Sequence, residues 1–182
     1  KPEFQKGEVL EKVLCTRDTT QTYALYVPTR YSPGKKWPVI YFFDPHANGR
    51  LPVQLYKVWA EKYGYILAGS NYSQNGMPAD VLNRHINTFR DDVLQKMSID
   101  IQRVYTAGFS GGAKVASSVA LFDGGVNGVI ACGAGFPELH EPAVRRFHFI
   151  GFAGDKDFNL TPMKLLEDEL ERSGFRHQLI VF

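Results

Sequence analysis

At 182 residues the chain has the length of one domain and can bury a substantial core. With 44% hydrophobic and 22% charged residues it has the balance of a soluble globular protein. A net charge of +2 gives no reason to propose nucleic acid or an anionic membrane as partner, and no apolar run approaches the length of a membrane span. The sequence starts at Lys1 rather than Met, which implies removal of something upstream, such as a signal peptide, a tag or another domain. Cys15 and Cys132 lie in apolar, strand-like runs without C-x-x-C spacing. They read as small buried hydrophobes rather than a disulfide, so cysteine usage does not assign a compartment.

Residues 8–15 and 22–28 read as two strands joined by the polar Thr19-Thr20-Gln21, which predicts a hairpin. A Pro/Gly/Lys turn at 30–36 leads into Trp37–Phe43, continuously apolar as in a central strand covered on both faces. The breaker-rich loop Asp44-Pro45-His46-Ala47-Asn48-Gly49 follows. Residues 52–63 carry helical spacing, with Leu55, Val58, Trp59 and Lys62 on adjoining turns. Tyr65–Gly69 is a short strand ending in the polar loop Ser70–Gly76. A long helix is predicted over about 79–97, its apolar stripe marked by Val81, Leu82, Ile86, Phe89, Val93 and Leu94.

Ile101–Ala107 is the next strand and Ala113–Phe122 the next helix; Val126–Cys132 and Phe147–Ala153 are further strands. Thr161 is the expected N-cap, with Pro162 at the first helical position, of a helix running to about Arg172 and closed by Gly174. His177–Phe182 begins a last strand. Strands alternating with helices predict a mostly parallel α/β sheet with helices on both faces, preceded by the antiparallel hairpin. The chain shows no repeat, low-complexity segment or linker.

Chemistry concentrates at Gly108-Phe109-Ser110-Gly111-Gly112, between a β-branched strand and a small-residue helix. G-x-S-x-G in that context is a nucleophile elbow. The turn is tight enough that residues two before and two after the serine must be small, and Gly108 and Gly112 meet that need. Ser110 would project above the sheet, with the following helix aiming its first N–H groups at developing negative charge. The alternative is an ordinary βα turn whose serine merely caps the helix.

With elbow and strand order in place, the sequence resembles the serine esterases of the α/β-hydrolase superfamily. It looks most like the feruloyl-esterase, acetylxylan-esterase and polyhydroxybutyrate-depolymerase-like group. The resemblance runs from Tyr23-Ala24-Leu25-Tyr26-Val27-Pro28 to the last strand. Its specific parts are G-F-S-G-G-A at 108–113, F-D-P-H-A-N-G at 43–49 and G-D-K-D-F at 154–158. It implies an α/β-hydrolase fold over residues 1–182, and a secreted or periplasmic setting.

It also implies site residues. Ser110 is the nucleophile and the Gly111 amide one oxyanion donor. The second donor comes from the loop at 44–47, where relatives usually carry His-Gly and this chain has Asp44-Pro45. Pro45 has no N–H, so His46 is the expected donor by position, with Ala47 the other choice; otherwise His46 is a surface loop histidine. The triad acid is expected at Asp157, with Asp155 as runner-up and an Asx cap before the next helix as the competing role. The catalytic histidine should follow the last strand, but only His177 comes after Asp157, and it opens that strand. Five steps at about 3.3 Å leave it roughly 16 Å from the catalytic rim. His140 and His148 precede the acid. The expectation is therefore a chain truncated in mid-strand, with its general base beyond Phe182 and activity near background.

Loop Ser70–Gly76 should line the same rim, because it follows a strand of an open α/β sheet. The dozen residues between the strands at 126–132 and 147–153 are too few for a lipase-type lid, which predicts an uncovered site. There is no P-loop, G-x-G-x-x-G or H-E-x-x-H, so no cofactor or metal is called for. Acyl transfer on a small-molecule or polysaccharide-borne ester is the leading expectation. A non-catalytic module of the same fold that binds carbohydrate or protein, and a serine peptidase, are the alternatives.

Overall fold

The computed structural model describes residues 3–137 and 147–182. Eight strands form one sheet: β1 (Val9–Leu14), β2 (Thr22–Tyr26), β3 (Trp37–Phe43), β4 (Ile66–Ser70), β5 (Ile99–Phe109), β6 (Gly128–Cys132), β7 (His148–Ala153) and β8 (His177–Val181). Their spatial order is β1-β2-β4-β3-β5-β6-β7-β8. β1 and β2 form the expected hairpin, β2 meets β4 antiparallel, and every pairing from β4 to β8 is parallel. Parallel neighbours need crossovers: α1 (Arg50–Tyr63) links β3 to β4, α2 (Ala79–Lys96) β4 to β5, α3 (Gly111–Ser118) β5 to β6 and α4 (Leu160–Arg172) β7 to β8.

The alternation of side chains along each strand divides the core in two. Trp37, Val39, Tyr41 and Phe43 of β3 face the larger cluster, where α2, α3 and α4 contribute Phe89, Val93, Ala113, Ala116 and Leu170. Phe89 is central there, its ring 5.2 Å from Tyr23, 5.5 Å from Tyr41 and 6.3 Å from Phe43. The other face packs Phe42, Leu67 and Ala107 on Val53 and Ala60 of α1. Helices thus cover both faces, as the alternation predicted. Cys15 is buried and free and Cys132 half-buried and free; burial raises the Cys15 thiol to about 11 and pushes Cys132 upward as well.

The helix read over 52–63 is present, and the cap expected at Thr161 is corrected. α1 lies with Leu55, Val58 and Trp59 in solvent, each more than half exposed, while Val53 and Ala60 are its buried contacts. The small inward residues let the helix sit close to the sheet. α4 starts at Leu160 with Asn159 at the N-cap, so Thr161 is not the cap. Asp157 accepts from the Asn159 N–H at 2.8 Å, and the Leu160 N–H bonds the Asp157 carbonyl at 3.0 Å, turning the chain before Thr161 is reached. Pro162 still falls in the first turn, where a missing N–H costs no helical bond. The short connection read as too small for a lid, and His140 within it, fall largely on 138–146, outside the described residues.

Candidate active site

The parallel strands deliver their carboxyl ends to one rim, where an open α/β sheet presents its loops. β5 ends there at Phe109, and Ser110 follows with φ 52° and ψ −119°. A non-glycine residue in that region costs on the order of 1–3 kcal/mol and persists only where the surroundings impose it. Here they do. The Ser110 N–H is held by the Cys132 carbonyl at 2.8 Å, and its own carbonyl accepts from Ala113 at 3.0 Å and Lys114 at 3.3 Å. Thr106 Oγ1 donates to the Ala116 carbonyl at 2.9 Å, tying β5 to α3 behind the turn.

Gly108 and Gly112 meet across that turn. A Cβ on Gly108 would overlap the Gly112 backbone, and one on Gly112 would overlap the Phe43 carbonyl of the neighbouring strand. Neither obstacle is a side chain that could move aside. The Ser110 hydroxyl makes no capping bond to α3, so the capping role weighed from sequence is not its role. Gly111 opens α3, and its N–H points along the helix axis with no intrahelical acceptor.

Asp157 lies in the turn after β7, half-buried, whereas Asp155 is exposed and donates its N–H to the Phe182 carbonyl at 2.7 Å. One Asp157 oxygen closes the Asx turn to Asn159. The other faces Gly133, the residue after β6, and would stand 3.1 Å from a Cβ placed there. Asn159 Nδ2 holds the Gly133 carbonyl at 2.7 Å. Carboxylate, Gly133 and serine thus lie at the ends of the three adjacent strands β7, β6 and β5. The Asx role weighed from sequence is present on one oxygen and leaves the second unengaged by it.

His46 stands at the rim, but not as expected. Its backbone N–H, the anticipated oxyanion donor, is taken by Asp44 Oδ1 at 2.8 Å, and the same oxygen accepts from Asn48 at 3.2 Å. An amide already donating to a carboxylate can serve an oxyanion only by giving up a charge-assisted bond beside a negative charge. Ala47, the other choice, has φ 59° and donates to the Asp44 carbonyl at 3.3 Å. The His46 imidazole is 86% exposed and 3.9 Å from Asp44. His148 and His177 begin their strands, at the end of the sheet away from the rim. His148 Nε2 lies 3.3 Å from Arg176, and His177 Nδ1 lies 2.9 Å from the Phe175 carbonyl.

The loop after β4 does line the site. The Asn75 N–H donates to the Pro45 carbonyl at 2.9 Å, and Gln74 bridges His46. Ser70 Oγ accepts from the Tyr72 and Ser73 amides at 3.3 and 3.1 Å, which curls the loop inward. Among the described residues no group of three or more His, Cys, Asp or Glu side chains could hold a metal ion, and no helix is long and apolar enough to cross a membrane.

Comparison with solved structures agrees with this architecture. A ferulic acid esterase superposes with a TM-score of 0.76 at 18% identity, covering 97% of this chain and 90% of its own. The substrate-bound fluorophosphonate-binding serine hydrolase F of Staphylococcus aureus gives 0.73 at 13% identity, over 88% and 84% of the two chains. An S-formylglutathione hydrolase from Agrobacterium tumefaciens gives 0.68 at 16%, over 88% and 80%. No protein-family model matches the sequence, and no curated protein matches it. The chain has the α/β-hydrolase fold.

Proposed function

We propose that this protein is a serine hydrolase that cleaves carboxylic esters, small or carried on a polysaccharide, through an acyl-enzyme. The observation that carries the reading is the backbone of Ser110, strained at the apex of a strand–turn–helix and walled in by Gly108 and Gly112. Strain of that kind is stabilising to nothing by itself; it presents a hydroxyl. Likeness in fold to esterases and serine hydrolases, a ferulic acid esterase among them, supports the reading.

In this mechanism the Ser110 oxygen attacks the ester carbonyl as a general base takes its proton. The carbonyl oxygen becomes an oxyanion facing the Gly111 N–H at the positive end of α3. Collapse expels the alcohol, which receives the proton from the base, and leaves an acyl-serine. Water then repeats the sequence and releases the acid. Asp157 holds the base in the correct tautomer and stabilises its charged form. The base is a histidine at the carboxyl end of β8, where the described residues carry none.

Two preparations test this: the 182-residue chain, and protein carrying whatever native residues follow Phe182. The extended protein is expected to react with a fluorophosphonate at Ser110 and to hydrolyse p-nitrophenyl acetate. Ser110→Ala should remove labelling and lower turnover by about 10⁴-fold or more. The 182-residue chain should stay near background. Absence of labelling in both preparations would favour a non-catalytic binding module. Robust turnover by the shorter chain would contradict the placement of the base.

A further inference from the structure

The elbow contains one glycine more than the turn requires. Gly108 and Gly112 are demanded by backbone crowding, but Gly111 has no positive φ, and the atoms nearest its Cβ position belong to a side chain. What fills that position is the side-chain amide of Asn75. A Cβ at 111 would overlap Asn75 Oδ1 and stand 2.7 Å from Cγ and 2.9 Å from Nδ2. The amide therefore lies against the residue whose N–H faces the oxyanion in the mechanism above. The backbone of its loop is anchored. The Asn75 N–H is bonded to the Pro45 carbonyl, Gln74 bridges His46, and Gly49 before α1 lies backbone to backbone against Gly69 near the end of β4. Meanwhile Asp44 withdraws the His46 N–H that the neighbouring loop could have offered.

We propose that the Asn75 side-chain amide is the second oxyanion donor, its Nδ2–H acting with the Gly111 N–H on the tetrahedral intermediate. The proposal rests on the serine-hydrolase reading. Oxygen and nitrogen of a carboxamide exchange by a half-turn, so the amide can present its donor to an oxyanion from this seat. Because the loop is anchored in advance, little reorganisation is needed as charge develops, which is the condition for such a donor to accelerate the reaction.

The test is a cycle of variants in whichever of the two preparations above is active, followed by p-nitrophenyl acetate kinetics and by the rate of fluorophosphonate labelling. Asn75→Ala should lower kcat by about 10²-fold with little change in KM, the effect of losing one oxyanion donor. Asn75→Asp, similar in shape but with a negative charge facing the oxyanion, should fall below Asn75→Ala. Gly111→Ala should displace the amide and cost a similar factor, yet add almost nothing in the Asn75→Ala background. An Asn75→Ala enzyme within threefold of wild-type kcat overturns this assignment and leaves the hydrolase reading intact. So does an Asn75→Asp variant as active as wild type, or full additivity with Gly111→Ala. Loss of Ser110-dependent labelling in the wild type overturns the hydrolase reading, and this proposal with it.

Discussion

At the scale of single residues, the site is built from exclusions. Gly112 abuts the Phe43 carbonyl and Gly108 abuts Gly112, so three backbones pack where side chains would normally separate them. Gly112→Ala is accordingly expected to destabilise the fold by about 3 kcal/mol, the upper range for overpacking, because no rotamer change can relieve a clash with main chain. Urea unfolding of the variant checks this, and a midpoint equal to wild type would mean that the elbow yields easily. The strained strand–turn–helix at Ser110 and Gly111 was legible from G-x-S-x-G. The proposed place of Asp157 rests on chain order after β7. The His46 amide was not legible as occupied. Its loss to Asp44 depends on an Asx-type turn across Pro45, which residue spacing does not reveal. The contact of Asn75 with Gly111 lies outside the motif, although its loop is expected at the rim. The available signal was Gly111, the middle glycine of G-F-S-G-G, surplus to the turn.

At the scale of elements, α1 is the instructive case. Leu55, Val58, Trp59 and Lys62 make a convincing stripe at helical spacing, yet the helix turns that stripe outward and buries Val53 and Ala60. On the solvent side Trp59 and Tyr63 lie nearly parallel, 6.3 Å apart, with Lys62 Nζ 5.5 and 5.2 Å from the two rings. Exposed substitutions of this kind usually change stability by no more than about 0.5 kcal/mol. Val58→Ser is therefore expected to be nearly neutral, whereas Val53→Ala should cost about 2 kcal/mol through the cavity it leaves. Thermal unfolding of the two variants separates the cases, and a larger loss from Val58→Ser would reverse the assignment of faces. In α4 the boundary moved for a different reason. Its start was set by the Asp157 turn rather than by the Thr161-Pro162 pair.

At the scale of the whole molecule, one buried charge ties the hairpin to the sheet's main helix. Asp92 on α2 accepts from the Thr16 N–H at 2.7 Å and the Tyr23 hydroxyl at 2.8 Å, and pairs with Lys96 at 2.6 Å. Burial alone would raise its carboxyl, but Lys96, Thr16 and Tyr23 together hold it below the ordinary value. A carboxyl depressed in the folded state contributes its full stability above the unfolded value of about 4, and that contribution falls away as pH drops through the folded value. Asp92→Asn should cost about 3 kcal/mol at pH 7, leaving Lys96 without its counter-charge, and should flatten the decline in stability below pH 4. Urea midpoints measured from pH 7 down to pH 2 test both; an unchanged acid slope in the variant would remove Asp92 from that role.

The order of strands and helices, the hairpin, the buried central strand and the elbow all follow from the sequence alone. They rest on periodicity, on turn chemistry and on the steric demand for glycine, each of which acts between residues close in the chain. Tertiary structure decided which side of α1 is inside and that Asn75 settles on Gly111. These depend on contacts across 28 to 36 positions of sequence or on the depth at which a helix meets a sheet. Local pattern carries no record of such distances, because the energy that selects them arises only when the loops after β3 and β4 close over the end of β5.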